Sequence, residues 1–159
     1  MIVVSDTSPL TNLFQIGRLH LVHELFDDVV IPRAVAEEIE FLEHNRAILT
    51  QNPWIRLVDV EDRSLLRDMT ANLDSGEAEA IVLAIQLKAD AILIDETLGR
   101  SEAIRLGLDV TGAVGVLIRA KRKGLIAAVK PEIEGLISEA GFWLHPTFIE
   151  EALLSVGED

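Results

Sequence analysis

The chain opens on Ile2-Val3-Val4-Ser5-Asp6, and a similar run, Ala91-Ile92-Leu93-Ile94-Asp95-Glu96, follows past its middle. Each run is continuously apolar, which is typical of a strand in a parallel sheet that helices cover on both faces. Each run also ends in an acid. Because the carboxyl ends of parallel strands meet at one edge of the sheet, we expect Asp6 and Asp95 to share a site there.

The remaining pattern alternates strands with helical periodicity and predicts a three-layer α/β/α sandwich around a central, mainly parallel sheet. Ser8-Pro9 resembles an N-cap followed by proline at the first helical position, so Asp6 is not needed as a cap. By the same reasoning Thr97 caps the helix after Asp95. We expect a flexible loop over residues 45–53 and a last helix over about residues 146–156, packed on the core or on a second copy.

The amino-acid composition limits the classes of protein to which this chain can belong. The 159 residues, 49% of them hydrophobic, predict one domain over residues 1–159, and the absence of cysteine excludes thiolate catalysis. A net charge of −13 argues against nonspecific binding to nucleic acid or membranes. With two Trp, five Phe and no Tyr, aromatic stacking on nucleobases is not expected. We expect a cytoplasmic protein that does not enter a membrane.

The helix that follows Pro32 provides a third candidate acid for the site. At about 100° per residue, the apolar stripe of this helix leaves Glu38 near its buried edge and Glu37 on the opposite face. Glu38 is therefore predicted to point toward the interior, whereas Glu37 is predicted to be solvated.

The next acid-bearing helix leaves two candidates open. Asp74-Ser75-Gly76-Glu77 has the spacing of a capping box, and Glu79 lies two residues further along an almost wholly apolar helix. Glu77 and Glu79 fall on opposite shoulders of its apolar stripe, so periodicity does not choose between them. Glu96, which follows Asp95, is a candidate for a supporting or water-mediated ligand.

Converging carboxylates without histidine or cysteine suit a hard, oxygen-preferring cation, Mg²⁺ or Mn²⁺. Such a site fits phosphodiester hydrolysis, in which the metal activates a water molecule and stabilises the leaving oxygen. Arg100, one turn after Asp95, is a candidate phosphate clamp, and Arg119 in the basic cluster near residue 121 is a second.

These residues and motifs resemble the PIN-domain ribonucleases. The resemblance rests on Asp6-Thr7-Ser8, Ile31-Pro32 with Glu38, Gly76-Glu77-Ala78-Glu79-Ala80, and Ile94-Asp95, and it covers nearly all the chain. Val110-Thr111-Gly112 resembles a largely uncharacterised branch, often the toxin half of toxin-antitoxin pairs.

The resemblance implies a metal-dependent endoribonuclease that acts on single-stranded RNA, commonly as a homodimer, and an antitoxin protein as its partner. It also implies an acidic quartet, Asp6, Glu38, Glu77 and Asp95, with Thr7 or Ser8 supporting Asp6.

Two other functions compete with this one. The acidic surface would also suit a non-catalytic PIN-like module that binds a basic protein; a non-catalytic PIN-like module that binds nucleic acid is the other form of this alternative. Phosphotransfer through an aspartyl nucleophile is weaker, because Ser8 stands where one such class has a second Asp.

Overall fold

Five short strands form one parallel sheet in this computed structural model, which describes residues 1–159. The strands are β1 (Val3–Ser5), β2 (Val29–Ile31), β3 (Ile55–Leu57), β4 (Ala91–Leu93) and β5 (Val110–Thr111). Their order across the sheet is β3-β2-β1-β4-β5, and every neighbouring pair is parallel. The strand order therefore reverses between β1 and β4.

Ten helices connect and flank the strands. They are α1 (Thr7–Gln15), α2 (His20–Phe26), α3 (Arg33–Phe41), α4 (Ala47–Thr50), α5 (Arg63–Met69), α6 (Ser75–Gln86), α7 (Thr97–Arg105), α8 (Ala113–Arg122), α9 (Lys130–Ser138) and α10 (Pro146–Ser155). None of them is both long and apolar enough to cross a membrane.

Two separate apolar cores show why the strands are continuously apolar. Val3 packs into the larger core, which includes side chains from α1, α2 and α8, whereas Val4 packs into the smaller core formed with α5, α6 and α7. Leu93 and Ile92 divide between the two cores in the same way, because successive side chains of a strand point to opposite faces. The predicted α/β/α sandwich is confirmed.

Three local predictions are wrong. Helix α1 begins at Thr7, so Asp6 rather than Ser8 occupies the N-cap position, and Glu96 rather than Thr97 does so for α7. The stretch predicted as a flexible loop over residues 45–53 holds the last residue of a 3₁₀ turn and all of helix α4, where Ile48 is fully buried. Tertiary burial of an apolar side chain explains the ordered turn where polar composition favours a loop.

The end of the chain is fastened to α8 and α9 through Glu158. Its carboxylate accepts hydrogen bonds from Lys121 Nζ at 2.7 Å, Val129 N at 2.7 Å and Lys130 N at 3.0 Å. Ala152 and Leu153 of α10 are buried in the larger core. Whether the exposed face of α10 also contacts a second copy stays a prediction.

We expect Glu158→Gln to lower stability, because the hydrogen bond to Lys121 and those to the two backbone amides hold the pKa of Glu158 down to about 2. A lowered carboxyl pKa contributes stability that is fully present above the ordinary value of 4.5 and is lost as pH falls toward 2. Urea unfolding should therefore show a deficit at pH 7 that shrinks below pH 4.5. Glu134→Gln, on the exposed side of α9, is the control; an equal deficit there, or one independent of pH, would contradict this role.

Candidate functional site

The two strand-end acids lie where the strand order reverses. Strands β1 and β4 are neighbours, and Asp6 N donates to Leu93 O at 2.8 Å, which brings the carboxyl ends of both strands side by side. In open parallel sheets the connections that leave two such neighbouring strands go to opposite sides, and this opens a crevice at the carboxyl ends of the strands. Asp6 and Asp95 therefore flank the crevice of the sheet.

Asp6 is buried, with only 3% of its surface exposed. Its side chain makes no capping hydrogen bond to α1, although it stands at the N-cap position. Burial raises the pKa of Asp6 to about 8, against the hydrogen bond from the Thr7 backbone, and the charges of Asp74, Glu38 and Glu77 raise it further. The acid is thus held largely protonated near neutral pH unless a cation takes up its charge.

Glu38 reaches this acid from α3. The residue is exposed as a whole, but its carboxylate turns inward: Thr7 Oγ1 donates to Glu38 Oε2 at 3.0 Å. A Cβ added at Gly76 would lie 2.1 Å from Glu38 Oε1 and 3.3 Å from Asp6 Oδ1. Partial burial raises the pKa of Glu38, against the Thr7 hydrogen bond. Thr7 therefore supports both acids, through its N–H and through its hydroxyl.

The structure distinguishes Glu77 from Glu79 by their partners. Glu77 is 6% exposed and completes the capping box: Asp74 Oδ1 accepts from Glu77 N at 2.8 Å, and Glu77 Oε2 accepts from Asp74 N at 3.3 Å. Burial and then the charge of Asp74 raise the pKa of Glu77. Glu79 Oε1 instead accepts from Ala34 N at 3.1 Å, in the first turn of α3. Glu77 thus lies beside Asp6 and Glu38, while Glu79 holds the helix that carries Glu38.

Asp95 is turned toward the start of α8. Its Oδ1 accepts from Ala113 N at 2.9 Å, whereas its Oδ2 is buried and has no hydrogen-bond partner. Burial raises the pKa of Asp95, while the Ala113 N–H and the Arg100 guanidinium act in the opposite direction. Glu96 is exposed next to it and raises the pKa of Glu77 through its charge.

The two arginines predicted to contact phosphate are Arg100 and Arg119, and the remaining predicted supporting residue is Ser8. Arg100 Nη1 donates to Ile94 O at 2.9 Å, beside Asp95. Arg119 lies further along α8, where its Nη2 donates to Thr111 Oγ1 at 3.3 Å. The hydroxyl of Ser8 makes no hydrogen bond to Asp6; the carbonyl oxygen of Ser8 accepts one from Thr11 Oγ1 at 3.3 Å.

Sequence reasoning assigned no role to the two glycines that the carboxylates of Glu38 and Asp95 approach closely. Besides Gly76 under Glu38, an added Cβ at Gly112 would lie 2.5 Å from Asp95 Oδ1 and 3.0 Å from Arg100 Nη1. Both glycines stand at helix starts, where the backbone N–H groups and the helix dipole favour a negative charge. A glycine just before or within the first turn of a helix is the sequence signal for this close approach.

The donor chemistry fits a divalent cation. Asp6, Glu38, Glu77 and Asp95 offer only carboxylate oxygens, the ligands that Mg²⁺ and Mn²⁺ prefer. Asp95 Oδ2 is buried and accepts no hydrogen bond, although the Asn12 side chain is near enough to lower the pKa of Asp95. No three acidic or histidine side chains form a closed ligand set in this arrangement. A bound cation would offset the negative charge of these acids and so stabilise the fold.

We expect Asp6→Asn to raise stability in metal-free protein containing a chelator. The folded protein binds this proton more tightly than the unfolded chain, so the contribution of Asp6 is fully present below pH 3.8 and is lost as pH rises toward 8. Each unit of such a shift is worth about 1.4 kcal/mol. The gain should be measurable as a rise in Tm at pH 8, since 1 kcal/mol corresponds to about 2–4 °C in a domain of this size.

The gain over wild type should grow between pH 5 and pH 8 in thermal unfolding scans, since over this range the folded wild type keeps a proton that the unfolded chain has already lost. Asp68→Asn on the exposed side of α5 is the control and should leave Tm unchanged. An Asp6→Asn protein that is no more stable than wild type at pH 8 would show that the buried acid carries no such penalty.

Comparison with known proteins agrees with the geometry. A family model described as a PIN domain matches residues 2–158, and no curated protein matches the chain. PIN domains are generally nucleases, and they typically use divalent metals. Since the match covers almost every residue, the chain belongs to the PIN-domain family.

Proposed function

We propose that the chain is a Mg²⁺- or Mn²⁺-dependent endoribonuclease that cuts single-stranded RNA. The observation that carries the proposal is the buried Asp6 at the β1/β4 reversal, with Glu38 and Glu77 beside it and the unpartnered Asp95 Oδ2 at the neighbouring strand end. Nuclease chemistry follows from the family; the choice of RNA and the endonucleolytic mode rest on the sequence resemblance.

Each acid has a role in this proposal that its contacts support. Asp6, Glu38, Glu77 and Asp95 would hold the cation, which when bound activates a water molecule and stabilises the leaving oxygen. The Thr7 hydroxyl orients Glu38, and the Ala113 N–H orients Asp95. Glu96, exposed beside Asp95, would assist through water.

Two arginines would bind the phosphates of the substrate. Arg100 is held beside Asp95 by its hydrogen bond to Ile94 O, which places a guanidinium next to the acids. Arg119 stands further along α8 and would contact a neighbouring phosphate. In a protein of net charge −13, such local cations are required to bring a polyanion to the site.

A toxin of a toxin-antitoxin pair is the biological role we propose for this activity, in the cytoplasm and as a homodimer. The net charge of −13 would suit a basic antitoxin. Leu154 exposes apolar surface on α10 outside the cavity along α8, which supports a contact with a second copy there.

The activity is tested with a neighbouring pair of acids on α3. Wild-type protein with Mn²⁺ should cleave an end-labelled, unpaired RNA. Glu38→Gln should lose at least about 100-fold, since even outer partners of a metal site cost 10–100-fold when removed. Glu37→Gln, the adjacent exposed residue, should retain activity and exclude a general effect of charge.

Failure of wild-type protein to cleave RNA with either metal would contradict the proposal, as would equal effects of the two variants. Tight Mn²⁺ binding in calorimetry without cleavage would instead favour the non-catalytic module, which retains the ion as a structural element.

Gly76→Ala should separate activity from stability. The added methyl group would displace the Glu38 carboxylate, which is the flexible end of a side chain, so the fold loses little and helix propensity improves by about 1 kcal/mol. We expect Tm to be maintained or raised while cleavage falls at least about 10-fold. Gly135→Ala in α9 makes the same change beside Ile16 and should leave cleavage intact; unchanged cleavage in Gly76→Ala would show that the position of Glu38 is not critical.

A further inference from the structure

A cavity of about 870 Å³ extends from the acidic site along α8. Asp95 and Glu96 line one end, and Trp143 and Phe148 line its wall near the start of α10. Its volume lies in the range of small-molecule sites. Any ligand that filled it would lie directly beside the strand-end acid.

Three guanidinium groups line this cavity, and none of them forms a salt bridge. Arg100 donates to Ile94 O, and Arg119 donates to Thr111 Oγ1 and stacks over the ring of Phe26 at 5.6 Å. Arg122 Nη2 donates to a backbone oxygen, Ser155 O, at 3.4 Å. Because the contacts of Arg119 and Arg122 are to neutral groups, these two positive charges remain available to an anionic ligand, whereas Arg100 already faces Asp95.

The same cavity displays aromatic surface. Trp143 is 76% exposed and Phe148 is 45% exposed, and of the seven Trp and Phe residues only Phe41 is also exposed. The rings of Trp143 and His145 lie nearly perpendicular with their centroids 6.0 Å apart, and most of the Trp143 surface stays accessible to a ligand. A planar apolar face next to unpaired arginines matches a ligand that is itself a planar ring joined to an anion.

We propose that this cavity binds a nucleotide of the single-stranded substrate next to the one that is cut, with its base stacked on Trp143 and its phosphate held by Arg119 and Arg122. The proposal rests on the proposed function for the identity of the ligand. The expectation from composition, that aromatic stacking plays no part, does not apply here because one exposed indole suffices for one base.

Continuity with the acidic site favours a nucleotide over a protein segment. Asp95, Glu96 and Glu151 in the same cavity would repel the carboxylates of an acidic peptide and the phosphates of a nucleotide alike, so the choice rests on the shape of the ligand. A nucleic acid strand carries one phosphate per base, so its base can fill the apolar end while its phosphates follow the arginines toward the acids. Base stacking on an aromatic side chain is worth about 1–3 kcal/mol, which is about 5–150-fold in affinity.

Trp143 can be observed alone in the variant Trp54→Phe, since the chain has two tryptophans. The probe is an oligouridylate of about ten nucleotides, titrated with a chelator present so that nothing is cleaved. We expect the emission of Trp143 to be quenched on binding. In a direct binding assay Trp143→Leu should weaken affinity about 10-fold, with Tm unchanged because the side chain is exposed.

A neighbouring pair of cations provides the matched control. Arg122 lines the cavity, whereas Lys123 does not. Arg122→Gln should weaken binding and lower the slope of log affinity against log salt by about one, as expected for the loss of one phosphate contact. Lys123→Gln removes the same charge and should change affinity less than 2-fold.

The outcomes separate this proposal from the proposed function. Quenching with weaker binding by Trp143→Leu, but no cleavage when Mn²⁺ is added, would support the nucleotide site and reject the nuclease. Cleavage by wild type, with neither quenching nor an effect of Trp143→Leu on KM, would reject the nucleotide site alone. A change in Trp143 emission with protein concentration, and none with RNA, would assign the cavity to a second copy and overturn the proposal.

Discussion

The charge of Asp6 is the constraint around which the surrounding elements are arranged. A carboxylate that is nearly fully buried beside two other acids is stable only if it is protonated or if a cation takes up its charge. The fold supplies no salt bridge to Asp6. Such an unpaired acid weakens the fold, which is the usual compromise at sites where chemistry rather than stability determines the residue.

Helix starts offset part of this electrostatic cost. Helices α6 and α8 begin beside the acids, and their glycines allow the carboxylates of Glu38 and Asp95 to approach the backbone more closely than any Cβ would permit. Backbone amides there complement negative charge without adding a formal positive charge that would compete with a metal. The neutral supports also include Thr7, whose hydroxyl holds Glu38 and whose N–H opposes the rise in the pKa of Asp6.

The cavity along α8 sets three arginines among three acids, next to the acidic site. A protein with a net charge of −13 repels nucleic acid at long range, so the proposed recognition would depend on local, unpaired cations and on contacts that are insensitive to charge. In the proposed nucleotide site, Arg119 and Arg122 would supply the first and Trp143 the second. Trp143 lies just before α10. The residues after α10 are held to α8 and α9 by the hydrogen bonds of Glu158, and these bonds therefore also support this side of the cavity.

Hydrophobic patterning by itself determined the layers, the parallel sheet and the position of Asp6 and Asp95 at strand ends, because strand direction and burial are encoded locally. Helical phasing likewise placed Glu38 on an inward edge. Only the tertiary structure decided between Glu77 and Glu79, since the choice depends on Ala34, which lies 45 residues away and binds Glu79. The arginine and tryptophan cavity also required the fold, because residues near 100, 120 and 143 share no sequence pattern and meet only when α8 packs beside the start of α10.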